Sequence, residues 1–106
     1  MLHYTDKASW NAIRSQVDWT FKAHKPPGPH PSACYFTTLP PDTPKLAIRL
    51  RIPVTKAAYV FCFVDAGDLT PLPGDRGDYI FFFEGDYVVA KDRQQDCGLR
   101  GEANCQ

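Results

Sequence analysis

Neither sign of charge prevails in this chain of 106 residues, in which Lys plus Arg and Asp plus Glu each number 12. At the level of net charge this excludes the electrostatic footprint of a nucleic-acid or anionic-membrane binder. No apolar run approaches the roughly 20 residues needed to cross a bilayer, and no basic region followed by an apolar core opens the chain. The sequence as given therefore carries neither a signal peptide nor a transmembrane segment, and the compartment stays open. A G-x-G-x-x-G phosphate loop is missing, which argues against a dinucleotide-binding Rossmann fold. The spacing of the four cysteines matches no zinc pattern, and no metal is expected. Internal repeats and low-complexity tracts are absent as well.

What is present fits one compact α+β domain spanning 1–106, with a polar C-terminal tail over about 92–106. Leu2-His3-Tyr4-Thr5 alternates as a short strand and sets an imidazole beside a hydroxyl. From Thr5 or Asp6, either of which can cap, Trp10, Ile13 and Val17 recur at helical spacing and predict a helix ending near Val17. The proline-rich segment 24–31 reads as a loop, with His24 and His30 as exposed loop histidines. Residues 33–39, rich in aromatic and β-branched side chains, predict a strand on which Tyr35 and Thr37 share a face. Thr43-Pro44 resembles a helix cap with a first-turn proline, opening a helix with Leu46, Ala47 and Leu50 inward. A strand over 46–52 is the rival, since Leu46, Ile48, Leu50 and Ile52 also alternate. Arg49 and Arg51 read as the solvated face of that element. Residues 58–64 form a near-continuous apolar run, expected in the middle of a covered sheet. Two further strands, 78–83 and 87–90, are joined closely enough to predict an antiparallel hairpin. Cys34 and Cys62 read as buried free thiols, whereas Cys97 and Cys105 could close a small disulfide loop in an oxidising compartment.

Three of these stretches carry a resemblance when taken in order. They are Leu2-His3-Tyr4-Thr5 before a short helix, Cys34-Tyr35-Phe36-Thr37-Thr38-Leu39-Pro40-Pro41, and Gly77-Asp78-Tyr79-Ile80-Phe81. Together they resemble the His-Tyr-Asp, toxin-like branch of the ADP-ribosyltransferase superfamily, related to the diphtheria toxin and poly-ADP-ribose polymerase class. The resemblance implies a split antiparallel β-sheet around an NAD cleft, with one or two short helices. It implies His3, Tyr35 and Asp78 as catalytic residues and His3, Tyr4, Thr5, Tyr35 and Thr37 as NAD-binding residues. In that scheme His3 bonds the adenosine-side ribose, the backbone of Tyr4 holds the nicotinamide amide, and the Tyr35 ring stacks on the nicotinamide. Asp78 would stabilise the positive charge that develops on the ribose as nicotinamide leaves. Asp65, Asp68 and Asp86, at strand ends, are the rival carboxylates.

The activity so implied consumes NAD as a substrate, without a metal. It passes ADP-ribose to an unknown acceptor, with protein favoured over nucleic acid by the balanced charge, or to water as an NAD glycohydrolase. Toxin kinship also implies an immunity protein or a larger parent chain as partner. Two departures shape the expectation. Arg76 stands where arginine-modifying relatives carry a second acidic residue, which disfavours arginine as acceptor. Ser32-Ala33-Cys34 replaces a glycine-rich approach to the tyrosine. The alternative is a catalytically inactive NAD-binding or protein-interaction module of the same fold.

Overall fold

The computed structural model describes residues 1–25, 28, 29, 32–73 and 78–105. His30 and Arg76 lie outside the described residues, as do most of the prolines between His24 and Ser32. Among the described residues eight strands and two α-helices follow in chain order. They are β1 (Leu2–Thr5), α1 (Lys7–Arg14), β2 (Trp19–Phe21), β3 (Ala33–Thr37), α2 (Leu46–Leu50), β4 (Tyr59–Phe63), β5 (Thr70–Pro71), β6 (Ile80–Glu84), β7 (Tyr87–Val89) and β8 (Gln94–Leu99). A mostly antiparallel sheet of six strands has the order β5-β6-β3-β1-β4-β8, and β2 pairs with β7 as a separate ribbon. Among the described residues no helix is long and apolar enough to cross a membrane.

Strand alternation sends successive side chains to opposite faces of the large sheet, so two cores form. On one face Phe36, Phe61 and Phe63 pack against Trp19, Phe21, Tyr87 and Val89 of the ribbon. On the other, Leu2, Tyr4, Val60, Cys62 and Ile80 pack against Leu46 and Leu50 of α2. Phe21, Phe61 and Phe63 are fully buried. Truncating any one to alanine would cost about 3–5 kcal/mol.

Asp6 caps α1, its carboxylate accepting from Ser9 N at 2.8 Å and pairing with Lys56 Nζ at 2.9 Å. The helix stops at Arg14, short of Val17, because the Ser15 hydroxyl turns back to Ala12 O and the Gln16 amide to Ile13 O. Val17 is left 75% exposed, while Trp10 and Ile13 pack inward as the periodicity requires. Residues 46–50 are helical, not extended, and Leu46 and Leu50 are its buried pair. Lys45, not Thr43, is the N-cap, and both Lys45 and the C-cap Arg51 adopt left-handed backbone. Each such non-glycine residue costs about 1–2 kcal/mol.

The expected hairpin of the sixth and seventh strands does not form. Both edges of β6 are occupied, by β3 and β5, so β7 crosses over to β2 instead. Gly85, with φ +90°, makes the change of direction, and Asp86 fastens it by accepting from Ala23 N at 2.8 Å and pairing with Lys22 at 3.3 Å. The polar stretch expected as a tail carries β8, an edge strand paired along β4.

The cysteines also pair differently from the expectation. Cys62 and Cys105 are joined, with Cα atoms 5.6 Å apart, and Cys34 and Cys97 are free. The register sets Asp96 opposite Cys62, and the Asp96 carboxylate accepts from Asn104 N at 2.7 Å, drawing the last residues back over β4. Cys97 stands opposite Phe61 and joins the other core, out of reach of Cys105. Cys34 is buried as expected, and burial pushes its thiol up to about 11.

Candidate active-site cleft between the first and third strands

In antiparallel ladders, residues alternate between bonding one neighbouring strand and the other. Met1 exchanges both backbone bonds with Phe63, at 2.9 and 3.0 Å. By alternation His3 and Thr5 bond β4 as well, so the N–H and C=O groups of Leu2 and Tyr4 turn toward β3. On β3, Ala33 exchanges both bonds with His24, at 3.0 and 3.2 Å, so Tyr35 and Thr37 turn theirs toward β1. Leu2 and Thr37 do pair. Tyr4 and Tyr35 come next in line, yet among the described residues β1 and β3 share no further registered pair. The sheet opens there.

His3 holds the gap. Its Nδ1 lies 2.9 Å from Tyr35 O, the carbonyl that a continuing ladder would give to Tyr4 N–H. A carbonyl only accepts, so Nδ1 carries the proton. The ring packs 4.7 Å from Phe21 and 5.5 Å from Phe36. Burial pulls its pKa down to about 4, against the opposing pull of the Tyr35 carbonyl, and His24 lowers it further. At neutral pH the imidazole is therefore uncharged, and Nε2 presents a bare lone pair.

The gap is the floor of a cavity of about 600 Å³ that runs from β1 and β3 past α1 and the end of α2. This lies within the range of about 300–1,000 Å³ usual for small-molecule sites. His3, Tyr4, Thr5, Tyr35 and Thr37 all line it. Their chemistry differs from residue to residue. The Tyr4 hydroxyl is committed to Leu39 O at 2.7 Å, and burial raises its pKa, so its backbone is what faces the gap. Thr5 is buried. The Thr37 hydroxyl donates to Tyr79 O at 2.6 Å and accepts from Leu39 N at 3.1 Å, so it is spent on structure. The Tyr35 ring lies 6.3 Å from Phe82 and 6.1 Å, edge-on, from His24.

Asp78 is not brought into this group. It is exposed, precedes β6 by two residues and does not line the cavity. Its neighbour Tyr79 is fixed by Thr37 and carries the Arg49 guanidinium 5.2 Å from its ring. Two rival carboxylates have structural duties elsewhere. Asp68 accepts from the Tyr87 hydroxyl at 2.7 Å, and Asp86 fastens the turn beside β2. Asp65 accepts from Gly67 N at 2.9 Å, as a turn residue does.

Sequence reasoning passed over four cavity residues. His24, exposed as expected, also lines the cavity, as do Lys22, Arg51 and Lys56. Arg51 is exposed, as its reading as a solvated residue expects, and it also borders the cavity from the C-cap of α2. Only topology could have found these residues, because they come from two connections that lack periodicity, β2 to β3 and α2 to β4. Among the described residues no cluster of His, Cys, Asp or Glu is placed to hold a metal ion. Set against known proteins, the chain matches no family model, and neither a curated protein nor a solved structure matches it significantly.

Proposed function

We propose that the chain consumes NAD, as an ADP-ribosyltransferase or an NAD glycohydrolase, with the nicotinamide end of the substrate in the gap between β1 and β3. The interrupted ladder carries this reading. Tyr4 turns a backbone N–H and C=O toward a strand that does not take them, and a carboxamide needs that donor and acceptor side by side. The uncharged His3 adds an acceptor, Nε2, suited to a ribose hydroxyl. The Tyr35 ring borders the same cavity and offers a face for the nicotinamide.

In the reaction, the bond from ribose C1′ to the nicotinamide nitrogen breaks with its electron pair leaving on nicotinamide. An acceptor oxygen or nitrogen, or water, then bonds C1′ and gives up its proton to solvent. A carboxylate near C1′ would favour the cation-like transition state over the ground state. Asp78 is assigned that role by resemblance, which requires its segment to close over the bound substrate.

A specific observation favours a second reading, an NAD-fold binding or interaction module without turnover. No carboxylate is among the described residues that line the cavity.

Release of nicotinamide from NAD by the purified chain, with and without cell lysate as acceptor, separates the two. The enzyme reading expects release that is lost in Asp78→Ala, whose exposed position spares the fold, and in His3→Ala. Labelling of lysate macromolecules would mark a transferase, and free ADP-ribose a hydrolase. Saturable NAD binding without release would establish the silent module. Neither binding nor release would sink both.

A further inference from the structure

The charged side chains around the cavity are unevenly chosen. Lys22, Arg51 and Lys56 line it, and among its described lining residues there is no Asp or Glu, although the whole chain carries the two signs equally. The three cations come from three places: the residue after β2, the C-cap of α2 and the 3-10 turn at Val54–Ala57. All are exposed, so they stand at the rim and leave the floor to His3 and the aromatic rings. Lys22 pairs with Asp86 at 3.3 Å and Lys56 with Asp6 at 2.9 Å, carboxylates that do not line the cavity.

Arg51 stands out by its backbone. It occupies a left-handed C-cap, φ 57° and ψ 44°, where its N–H closes α2 on Ala47 O and Ile48 O. Glycine meets that backbone without strain and is the common residue there. Here the strained position holds an arginine whose side chain borders a ligand-sized cavity. Strain kept at a cavity wall points to use of the side chain. A guanidinium is a planar fork that can hold two phosphate oxygens at once, which an ammonium cannot.

We propose that Arg51 binds the diphosphate of a nucleotide ligand at the rim of this cavity, with Lys22 and Lys56 flanking it. The proposal deepens the NAD reading, since NAD joins its two ribosides through a diphosphate. It requires only that the ligand be a diphosphate-bearing nucleotide.

The test is calorimetric binding of ADP and of adenosine to the full chain, its Arg51→Gly and Arg51→Lys variants, with nicotinamide release measured in parallel. Arg51→Gly relieves the left-handed backbone, so it should melt at or above the wild-type temperature and still bind ADP at least about tenfold more weakly. Arg51→Lys keeps the charge without the fork and should fall between the two. The wild type should bind ADP more tightly than adenosine, with the margin shrinking as salt is raised. Equal affinity for ADP and adenosine would overturn the proposal, as would wild-type affinity for ADP in Arg51→Gly or no binding of ADP at all. The two readings fail separately. Arg51-dependent ADP binding without nicotinamide release would leave the diphosphate site standing and remove the NAD enzyme. Release with an unchanged KM in Arg51→Gly would do the reverse.

Discussion

His3 should make the protein lose stability on acidification well before its carboxylates titrate. Its imidazole is held near a pKa of about 4, against an ordinary 6.5, because burial among aromatic rings penalises the cation. Between those values the unfolded chain binds a proton that the folded chain does not, so unfolding gains ground as pH falls. The contribution is fully present above pH 6.5, declines through the interval and is exhausted below pH 4. A difference of about 2.5 pH units at about 1.4 kcal/mol each makes the total roughly 3 kcal/mol. That is a large share of the 5–15 kcal/mol (about) that stabilises ordinary domains. The carboxylates of Asp6 and Asp86, held below their ordinary 3.8 by Lys56 and by the Ala23 amide respectively, withdraw their support only at lower pH. The Met1 amine, lowered by burial, is common to both proteins compared. Urea unfolding at half-unit steps from pH 7 to 4.5 should show a slope in the wild type that His3→Asn flattens, the amide N–H still reaching toward Tyr35 O. Parallel slopes in the two proteins, or an imidazole seen by NMR to titrate near 6.5, would refute the account of a half-buried, neutral His3 bound through Nδ1.

Two further perturbations follow from the same framework. The disulfide of Cys62 and Cys105 spans 43 residues, and removing a cross-link over a loop of that length costs about 4 kcal/mol in the chain-entropy account. Cys105→Ser, or dithiothreitol with the wild type, should lower the urea midpoint accordingly, and an unmoved midpoint would mean that the two sulfurs are not joined. Thr37→Val deletes the hydroxyl that bonds Tyr79 O and Leu39 N, at a cost of about 1–3 kcal/mol. Thr37→Ser should recover most of it, and equal losses in the serine and valine variants would show that the methyl group, not the hydroxyl, is what the site requires.

Local pattern was enough where local physics decides. The Asp6 cap and the Trp10 and Ile13 stripe announced α1, and the apolar run of β4 announced a strand covered on both sides. Tyr35 and Thr37 share a face of β3, as alternation requires, and both line the cavity, which Phe36 reaches from the other face. The losses occur where partners are remote. β2 and β5 are three and two residues long, too short for any period to register. β8 reads as polar because an edge strand meets solvent along one side, and its contribution is backbone pairing with β4. The hairpin between β6 and β7 failed although its turn residues were suitable, since the edges of β6 were already taken by strands elsewhere in the chain. The cysteine partners follow from that same long-range register. In the cleft, His3, Tyr4 and Thr5 are gathered by one strand, whereas Lys22, Arg51 and Lys56 are gathered only by the assembled fold.

The placement of β1 has a kinetic consequence. Leu2 pairs with Thr37 on one side and Cys62 on the other, and Trp19 pairs with Val89 across the ribbon. Nearly every wall of the cleft therefore waits on a loop closure of tens of residues, the topology that slows folding to the millisecond-to-second range. A partly collapsed chain has no cleft to offer, so any ligand of the cleft would be recognised only after the whole sheet has assembled. A ligand in the gap would join segments that lie between Leu2 and Ile80 and so hold the cooperative unit, not a local patch, against unfolding.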